Sequence, residues 1–256
     1  MNVLAVYNLK GGVGKTSTAV NMAYLAAKMG YKTLLWDLDP QGASSWYFQC
    51  SHDKKITFKR LFPKRGVLPC KYILKTNYLN LDIIPADLSY REFDPKMKKG
   101  TNTKALEKTL SAYKDNYNLV ILDCPPGISY MTDNIMHAMD AILMPMIPTW
   151  LSLHSYKQLQ DFLKQNNLPD SNIYPFFSMV DNRKKLHHEW LTVPPMILKK
   201  LLKTYIPYAS AIEKMGEFHA PVEEFSANSA GAASYRVLWD EVYKKILRKK
   251  FGFPKQ

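Results

Sequence analysis

The residues best suited to chemistry stand near the start of the sequence, where Lys10 to Ser17 read Lys-Gly-Gly-Val-Gly-Lys-Thr-Ser. Glycines let backbone N–H groups turn towards an anion, and the N-terminus of a following helix adds a partial positive charge. In such a loop Lys15 reaches the β- and γ-phosphates of a nucleotide, and the Thr16 hydroxyl binds Mg²⁺. The spacing therefore predicts a phosphate-binding loop. Its nucleotide-binding residues are Lys10, Gly11, Gly12, Val13, Gly14, Lys15, Thr16 and Ser17.

Aspartates follow two of the apolar runs further along the chain. Asp37 and Asp39 come after Thr-Leu-Leu-Trp, and Asp123 ends the run Leu-Val-Ile-Leu. Ligands of open α/β sheets bind at the carboxyl ends of the strands, and carboxylates suit Mg²⁺. Asp37 and Asp39, two residues apart, point to the same side of a strand, as Mg²⁺ and water chemistry beside a phosphate require. Asp123 has the Walker B arrangement and adds a carboxylate on the Mg²⁺ side.

Apolar runs alternate with helical patterns, and these elements would position the loop and the aspartates. Val3–Tyr7 is typical of a buried strand, and apolar residues recur at helical spacing from Thr18 to Met29, before Gly30. Further strands are predicted at 33–36, 79–85, 119–122, 141–145, 174–180 and 205–207. Further helices are predicted at 56–62, 106–115 and 151–166 and beyond residue 232.

Length and charge narrow the class of protein. With 256 residues the chain can form one large α/β domain spanning residues 1–256. The net charge of +13 indicates a polyanionic partner, either nucleic acid or an anionic membrane. Three cysteines, far apart, argue against a disulfide framework or a zinc site. No apolar stretch approaches the roughly 20 residues that span a bilayer. Because the first residues already enter a strand, we expect no signal peptide and a cytoplasmic chain.

Lys10 together with Lys15 resembles the deviant Walker A motif of the ParA/MinD family of dimerising ATPases. Three later stretches carry the same resemblance. They are the Walker A′ box Asp-Leu-Asp-Pro-Gln-Gly from Asp37, the Asp-Cys-Pro-Pro from Asp123, and the ParA-like ending Tyr-Arg-x-Leu-Trp from Tyr235. The resemblance covers nearly the whole chain. It implies a doubly wound, mainly parallel sheet flanked by helices, the α/β fold of P-loop NTPases.

The same resemblance implies roles for the charged groups of the site. ATP and Mg²⁺ are the expected cofactors, with Thr16, Asp37 and Asp123 at the metal. The expected catalytic residues are Lys10, Lys15 and Asp39. Lys10 would reach across an ATP-bound homodimer to the partner's nucleotide, and Asp39 would orient or activate the attacking water.

The late loops of the family lie against the adenine and carry basic residues that contact DNA. Asn182 and Pro207 are therefore expected at the base. The expected DNA-binding residues are Arg183, Lys184, Lys185, Lys245, Arg248 and Lys249. Many relatives have an arginine directly after the proline, whereas this chain has Tyr208.

A ParA-type ATPase is the function that the resemblance implies. Its dimer would bind nonspecific nucleoid DNA in the cytoplasm, and a ParB-like or other small adaptor would stimulate slow hydrolysis. The cargo would be a plasmid, a chromosome, or a protein assembly such as a carboxysome or a chemotaxis cluster. The alternative is a MinD-like membrane-cycling ATPase in division-site placement, with the basic C-terminal helix as the membrane anchor. DNA is favoured over membrane because no separate linker precedes that helix.

Overall fold

The structure is a computed structural model, and it describes residues 1–52, 70–88, 90 and 103–249. Its sheet contains seven strands in the described residues, in the order β3-β4-β2-β5-β1-β6-β7. All neighbours are parallel except β3 and β4. The strands are β1 (Asn2–Val6), β2 (Thr33–Asp37), β3 (Leu74–Lys75), β4 (Leu81–Ile84), β5 (Leu119–Asp123), β6 (Ala141–Met146) and β7 (Ile173–Phe177).

Helices lie between most of these strands and after the last one. Those between strands are α1 (Lys15–Lys28), α2 (Ala43–Tyr47), α3 (Ala105–Ser111), α4 (Tyr130–Ala138) and α5 (Trp150–Gln165). Those after β7 are α6 (Lys185–Thr192), α7 (Ser210–Glu213), α8 (Met215–Phe218), α9 (Val222–Ser226) and α10 (Ala230–Val242), which continues as a π-helix over Tyr243–Arg248. None of the described helices has the length and apolarity needed to cross a membrane.

Both faces of the sheet are buried, because successive strand side chains point to opposite faces and helices cover each of them. Leu34 and Trp36 of β2 pack in one apolar cluster, and Leu35 packs in the other. The first cluster includes residues of α3, α4 and α5. The second includes residues of α1 and α10. The predicted doubly wound, mainly parallel α/β fold is confirmed.

The predicted strand at 205–207 is wrong. A single parallel bridge joins Val180 to Pro207, and no strand of the described part includes Pro207. The segment meets the chain after β7 through separate hydrogen bonds: Ile206 N donates to the Phe177 carbonyl and Tyr208 N donates to the Val180 carbonyl. The first and last helices begin earlier than predicted, at Lys15 and Ala230. The predicted helix at 56–62 lies outside the described residues.

The register of the central strands determines where the sequence motifs meet. Val6, the last residue of β1, pairs with Asp123 of β5. Asp37, the last residue of β2, pairs with the same Asp123 from the other side. The loop from Lys10, the Asp39 segment and Asp123 therefore leave the sheet at one edge.

Replacing Leu35 by alanine is expected to lower the free energy of unfolding by about 2–5 kcal/mol, because a cavity forms in a dense core. Leu35 is fully buried in the sheet (0% exposed). Leu79→Ala is the matched control, since Leu79 is 86% exposed, and it is expected to change the free energy by less than about 0.5 kcal/mol. Urea denaturation of both variants measures the difference. Equal losses would contradict the placement of Leu35.

Candidate nucleotide-binding and hydrolysis site

The loop between β1 and α1 has the backbone shape of an anion cradle. Gly12 and Gly14 have φ values of 70° and 87°, in the left-handed region that favours glycine. A Cβ atom on Gly14 would also lie 2.9 Å from Ser178 Oγ. Gly14 is the N-cap of α1, whose first turn contains no acidic residue. The partial positive charge of the helix N-terminus therefore faces the loop without an acidic side chain of its own first turn to offset it.

Asn8 anchors this loop, and sequence reasoning missed it. Its side chain is fully buried; Nδ2 donates to the Pro145 carbonyl at 2.8 Å, and Oδ1 accepts from the Lys10 amide at 3.0 Å. Asn8 thus ties the start of the loop to β6. A polar residue directly after an apolar strand was the available signal.

The two lysines of the loop have different environments. Lys15 is 7% exposed, and its Nζ donates to the Lys10 carbonyl at 2.6 Å. Burial lowers the pKa of Lys15, and the negative charge of Asp123 opposes this shift. Lys10 is only partly buried, and desolvation lowers the pKa of its ammonium. Lys15 is therefore held inside its own loop, whereas Lys10 stays accessible at the loop's edge.

Asp37 and Asp123 form a buried pair of carboxylates behind the loop. Both are 0% exposed. Burial raises the pKa of Asp37, and the charge of Asp123 raises it further. Burial also raises the pKa of Asp123, whereas hydrogen bonds from Ser44 and Thr16 lower it. Two negatively charged carboxylates on adjacent strands in a low-dielectric interior need a cation or hydrogen-bond donors beside them.

The oxygens of the pair differ in what they contact. Asp37 Oδ2 accepts from Ser45 N at 2.8 Å and Ser45 Oγ at 2.7 Å, and its Oδ1 accepts from Asp39 N at 3.2 Å. Asp123 Oδ2 accepts from Ser44 Oγ at 2.6 Å. Asp123 Oδ1 is buried and has no hydrogen-bond partner in the described structure.

These oxygens fit a magnesium ion. A buried carboxylate oxygen without a donor, beside the Thr16 hydroxyl, is the hard oxygen set that Mg²⁺ takes together with phosphates. Asp123 and Thr16 are the residues best placed to hold it. Asp37 uses both oxygens in hydrogen bonds, so it lies behind the site as a support for the neighbouring segment.

Asp39 lies at the open side of the site. Its side chain is partly exposed, its Oδ1 accepts from Gln41 N at 2.9 Å, and its charge contributes to the pKa of Lys15. Leu38 N donates to the Asp123 carbonyl at 2.9 Å, which fixes this segment against β5. Asp39 is therefore close to the loop lysine and accessible to water.

A narrow cavity of about 50 Å³ lies beside the start of α1, where a base would be expected. Pro207 lines it, whereas Asn182 is exposed and is not among its lining residues. Its other lining residues include Ser178, Met179, Tyr208 and Tyr235. Tyr208 directly follows Pro207, and its hydroxyl donates to Glu213. Tyr208 is thus a wall of the cavity in this chain.

The predicted DNA-binding residues fall into two groups. In the loop after β7, Arg183 Nε and Nη2 each donate to Asp181 at 2.9 Å. Lys184 is exposed, and Lys185 lies 3.8 Å from Glu189. In the C-terminal helix, Arg248 and Lys249 are exposed and Lys245 pairs with Glu241.

A second basic surface was missed from the sequence. Lys199 and Lys200 line an open cavity of about 570 Å³ together with Lys245, Lys249 and Tyr174. We call this group the four-lysine cleft. The Lys-Lys pair at 199 was visible in the sequence, but its proximity to the C-terminal helix required the fold.

Comparison with known proteins identifies the family of this chain. The family model described as an AAA domain (AAA_31) matches residues 1–172. The chain is 30% identical over 246 residues to the chromosome-partitioning ATPase Soj of Treponema pallidum, covering 93% of this chain and 96% of that protein. It is 29% identical over 248 residues to the sporulation initiation inhibitor protein Soj of Bacillus subtilis, covering 94% of this chain and 97% of that protein.

Solved structures share the fold. A plasmid partition protein of Borrelia burgdorferi bound to AMPPNP superposes with a TM-score of 0.80 at 22% identity, over 96% of this chain and 99% of that one. The septum site-determining protein MinD of Pyrococcus horikoshii, complexed with Mg-ADP, gives a TM-score of 0.74 at 21% identity, over 95% and 96%. Their bound molecules agree with the expectation of ATP and Mg²⁺. The chain therefore belongs to the ParA/MinD family of deviant Walker A ATPases and is similar over nearly its whole length to the Soj partition ATPases.

Proposed function

We propose that this chain is a ParA-type ATPase whose nucleotide state controls its assembly and its binding to DNA. The observation that carries the proposal is the unpartnered, buried Oδ1 of Asp123 behind a glycine loop that contains Thr16. Such an arrangement can bind both a phosphate and a metal ion. A site for a phosphate alone would not need the buried carboxylate. The whole chain, residues 1–256, would act as one ATPase domain.

The residues of the site divide the chemistry between them. The loop amides and the α1 N-terminus bind the phosphates, and the Lys15 ammonium neutralises charge on the β- and γ-phosphates. Mg²⁺, when bound, adds charge stabilisation at the phosphates. Thr16 and Asp123 hold it, with Asp37 behind them. Asp39 is partly exposed and orients the attacking water.

Lys10 is the residue that would link nucleotide binding to dimer formation. It is the accessible lysine of the loop, while Lys15 is enclosed. A cation at the rim of the cradle can neutralise phosphate charge in a facing copy of the same chain. We therefore propose a homodimer that ATP stabilises and hydrolysis separates, with a ParB-like or other small adaptor accelerating hydrolysis.

Light scattering tests this assembly. ATP with Mg²⁺ is expected to convert the wild-type chain from monomer to dimer, and Lys10→Ala is expected to stay monomeric. The reason is that the phosphates of the facing copy lose their counter-charge. Lys32→Ala is the matched control, since Lys32 is an exposed lysine that precedes β2, at the opposite end of the sheet. A dimer that forms equally without ATP, or in Lys10→Ala, would contradict the mechanism.

Asp39→Ala is expected to reduce ATP turnover by at least about 100-fold, the range of a lost general acid–base group. ATP-dependent dimerisation is expected to persist, because the phosphate and metal contacts remain. Phosphate release measures turnover, and light scattering measures the trapped dimer. Asp115→Ala, which removes an exposed carboxylate elsewhere, provides the control. Unchanged turnover in Asp39→Ala would show that the catalytic carboxylate is misassigned.

The packing of the C-terminal helix favours DNA over a membrane as the polyanionic partner. The C-terminal helix buries Ile246 and Leu247 in the core cluster that includes α1, so its apolar side is used for packing. Lysines and an arginine occupy its exposed side. Because the solved MinD structure has a similar fold, a membrane-cycling ATPase is the second candidate function. We propose a cytoplasmic, nucleoid-associated protein whose cargo, a plasmid, a chromosome or a protein assembly, is chosen by the adaptor.

Within this proposal, Lys184, Lys199 and Lys249 contribute more to phosphate contacts than Arg183 does. The Arg183 guanidinium is held in two hydrogen bonds by Asp181, which raises the pKa of Arg183 and lowers that of Asp181. A phosphate has to compete with that carboxylate. Lys199 and Lys249 lie together in an open cleft instead.

Lys199→Glu and Lys249→Glu are each expected to weaken DNA binding about 10-fold and to reduce the salt dependence by about one phosphate contact. Fluorescence anisotropy with a random-sequence duplex at several salt concentrations measures both. Lys108→Glu makes the same charge change at an exposed position of α3 and is expected to have little effect. Loss of binding to anionic vesicles with DNA binding intact would favour the membrane-cycling alternative.

A further inference from the structure

Two serines at the start of α2 contact the buried carboxylates, and the sequence patterns gave them no role. Ser44 is fully buried and Ser45 is 8% exposed. They follow the Asp39 segment after Gly42, whose φ of 68° turns the chain into α2. Adjacent residues on one helical turn thus contact two different aspartates on neighbouring strands.

Ser45 acts as a structural link. Its N and Oγ donate to Asp37 Oδ2 at 2.8 and 2.7 Å, and its Oγ accepts from Ala86 N at 2.8 Å. Ser45 therefore connects the end of β2 to the segment after β4. Its hydroxyl has both a donor and an acceptor role within the fold.

The Ser44 hydroxyl makes a different kind of contact. Its Oγ donates to Asp123 Oδ2 at 2.6 Å, a short bond to a buried carboxylate. The other oxygen, Oδ1, is buried without a hydrogen-bond partner in the described structure. Because the carboxylate is planar, fixing one oxygen fixes the direction of the other. Ser44, together with the Thr16 hydroxyl that also acts on Asp123, therefore sets where the unpartnered oxygen points.

We propose that Ser44 is a positioning residue for the divalent cation that accompanies the nucleotide. The inference rests on the proposed function, because it assumes that Asp123 Oδ1 binds Mg²⁺. Ser44 does not contact the metal or the phosphates itself. It holds Asp123 in the orientation that binds the cation, and because Ser44 lies on α2, the Asp39 segment that leads into this helix is tied to the same carboxylate.

Removal of a residue that orients a metal ligand typically costs 10–100-fold in metal affinity. The effect expected from Ser44 on nucleotide affinity depends on whether Mg²⁺ is present. Without Mg²⁺, phosphate contacts of the loop are intact, so nucleotide affinity does not depend on Ser44. With Mg²⁺, the gain in affinity requires an oriented Asp123. The ratio of the nucleotide affinities with and without Mg²⁺ therefore measures the role of Ser44.

Calorimetric titration of the full chain with ADP, with and without Mg²⁺, tests the proposal. Ser44→Ala is expected to keep the Mg²⁺-free affinity within about 2-fold and to lose about 10-fold or more of the Mg²⁺-dependent gain. Ser44→Thr keeps the hydroxyl donor and is expected to retain the gain. Ser155→Ala is the matched control, because Ser155 is 2% exposed and its hydroxyl donates to the Leu151 carbonyl of its own helix at 3.2 Å.

Two results would overturn the role of Ser44. One is a full Mg²⁺-dependent gain in Ser44→Ala; the other is an equal loss of affinity with and without Mg²⁺, which would indicate a general effect on the fold. If Ser44→Ala does not fold, Ser44→Cys preserves the volume with a much weaker donor, and retention of the gain there overturns the proposal. A wild-type chain that gains no affinity from Mg²⁺ would instead refute the proposed function.

Discussion

Two carboxylates buried on adjacent strands are the constraint on which the site depends. Asp37 and Asp123 stand directly opposite each other in the β2–β5 register, with no solvent exposure. Burial raises the pKa of both, and the charge of Asp123 raises that of Asp37 further, a cost that protein interiors tolerate only with compensating groups. The neighbouring elements supply those groups. Lys15 provides a positive charge, α2 provides two serine hydroxyls, and one Asp123 oxygen stays available for a cation.

This constraint also explains why the site spans several chain segments. Parallel strands need crossover connections, so the loop after β1, the segment after β2 and the end of β5 are distant in sequence but share one edge. Each strand end leads to one kind of group: a glycine loop, a water-accessible carboxylate or a buried carboxylate with an unpartnered oxygen. The opposite ends of the same strands carry none of these motifs.

The sequence predicted the fold and the motif positions because those depend on local signals. Apolar runs predict buried strands, and glycine and lysine spacing predicts the loop. It failed where the outcome depends on partners distant in the chain. Ser44 and Asn8 gain their roles only once β5 and β6 lie beside them, and Lys199 meets Lys249 only after the fold closes. The strand predicted at 205–207 also depended on a distant partner, because the segment meets Val180 at an isolated bridge.

The hydrogen bond from Lys15 Nζ to the Lys10 carbonyl has a consequence for nucleotide exchange. The ammonium already has a partner inside the loop, so a phosphate that takes this ammonium competes with a carbonyl for it. The net gain is the difference between two contacts and not the whole of one. Departure of the product is eased by the same bond, because the carbonyl regains the ammonium as the phosphate leaves. A loop whose lysine has a hydrogen-bond partner within the loop is suited to repeated binding and release of a nucleotide.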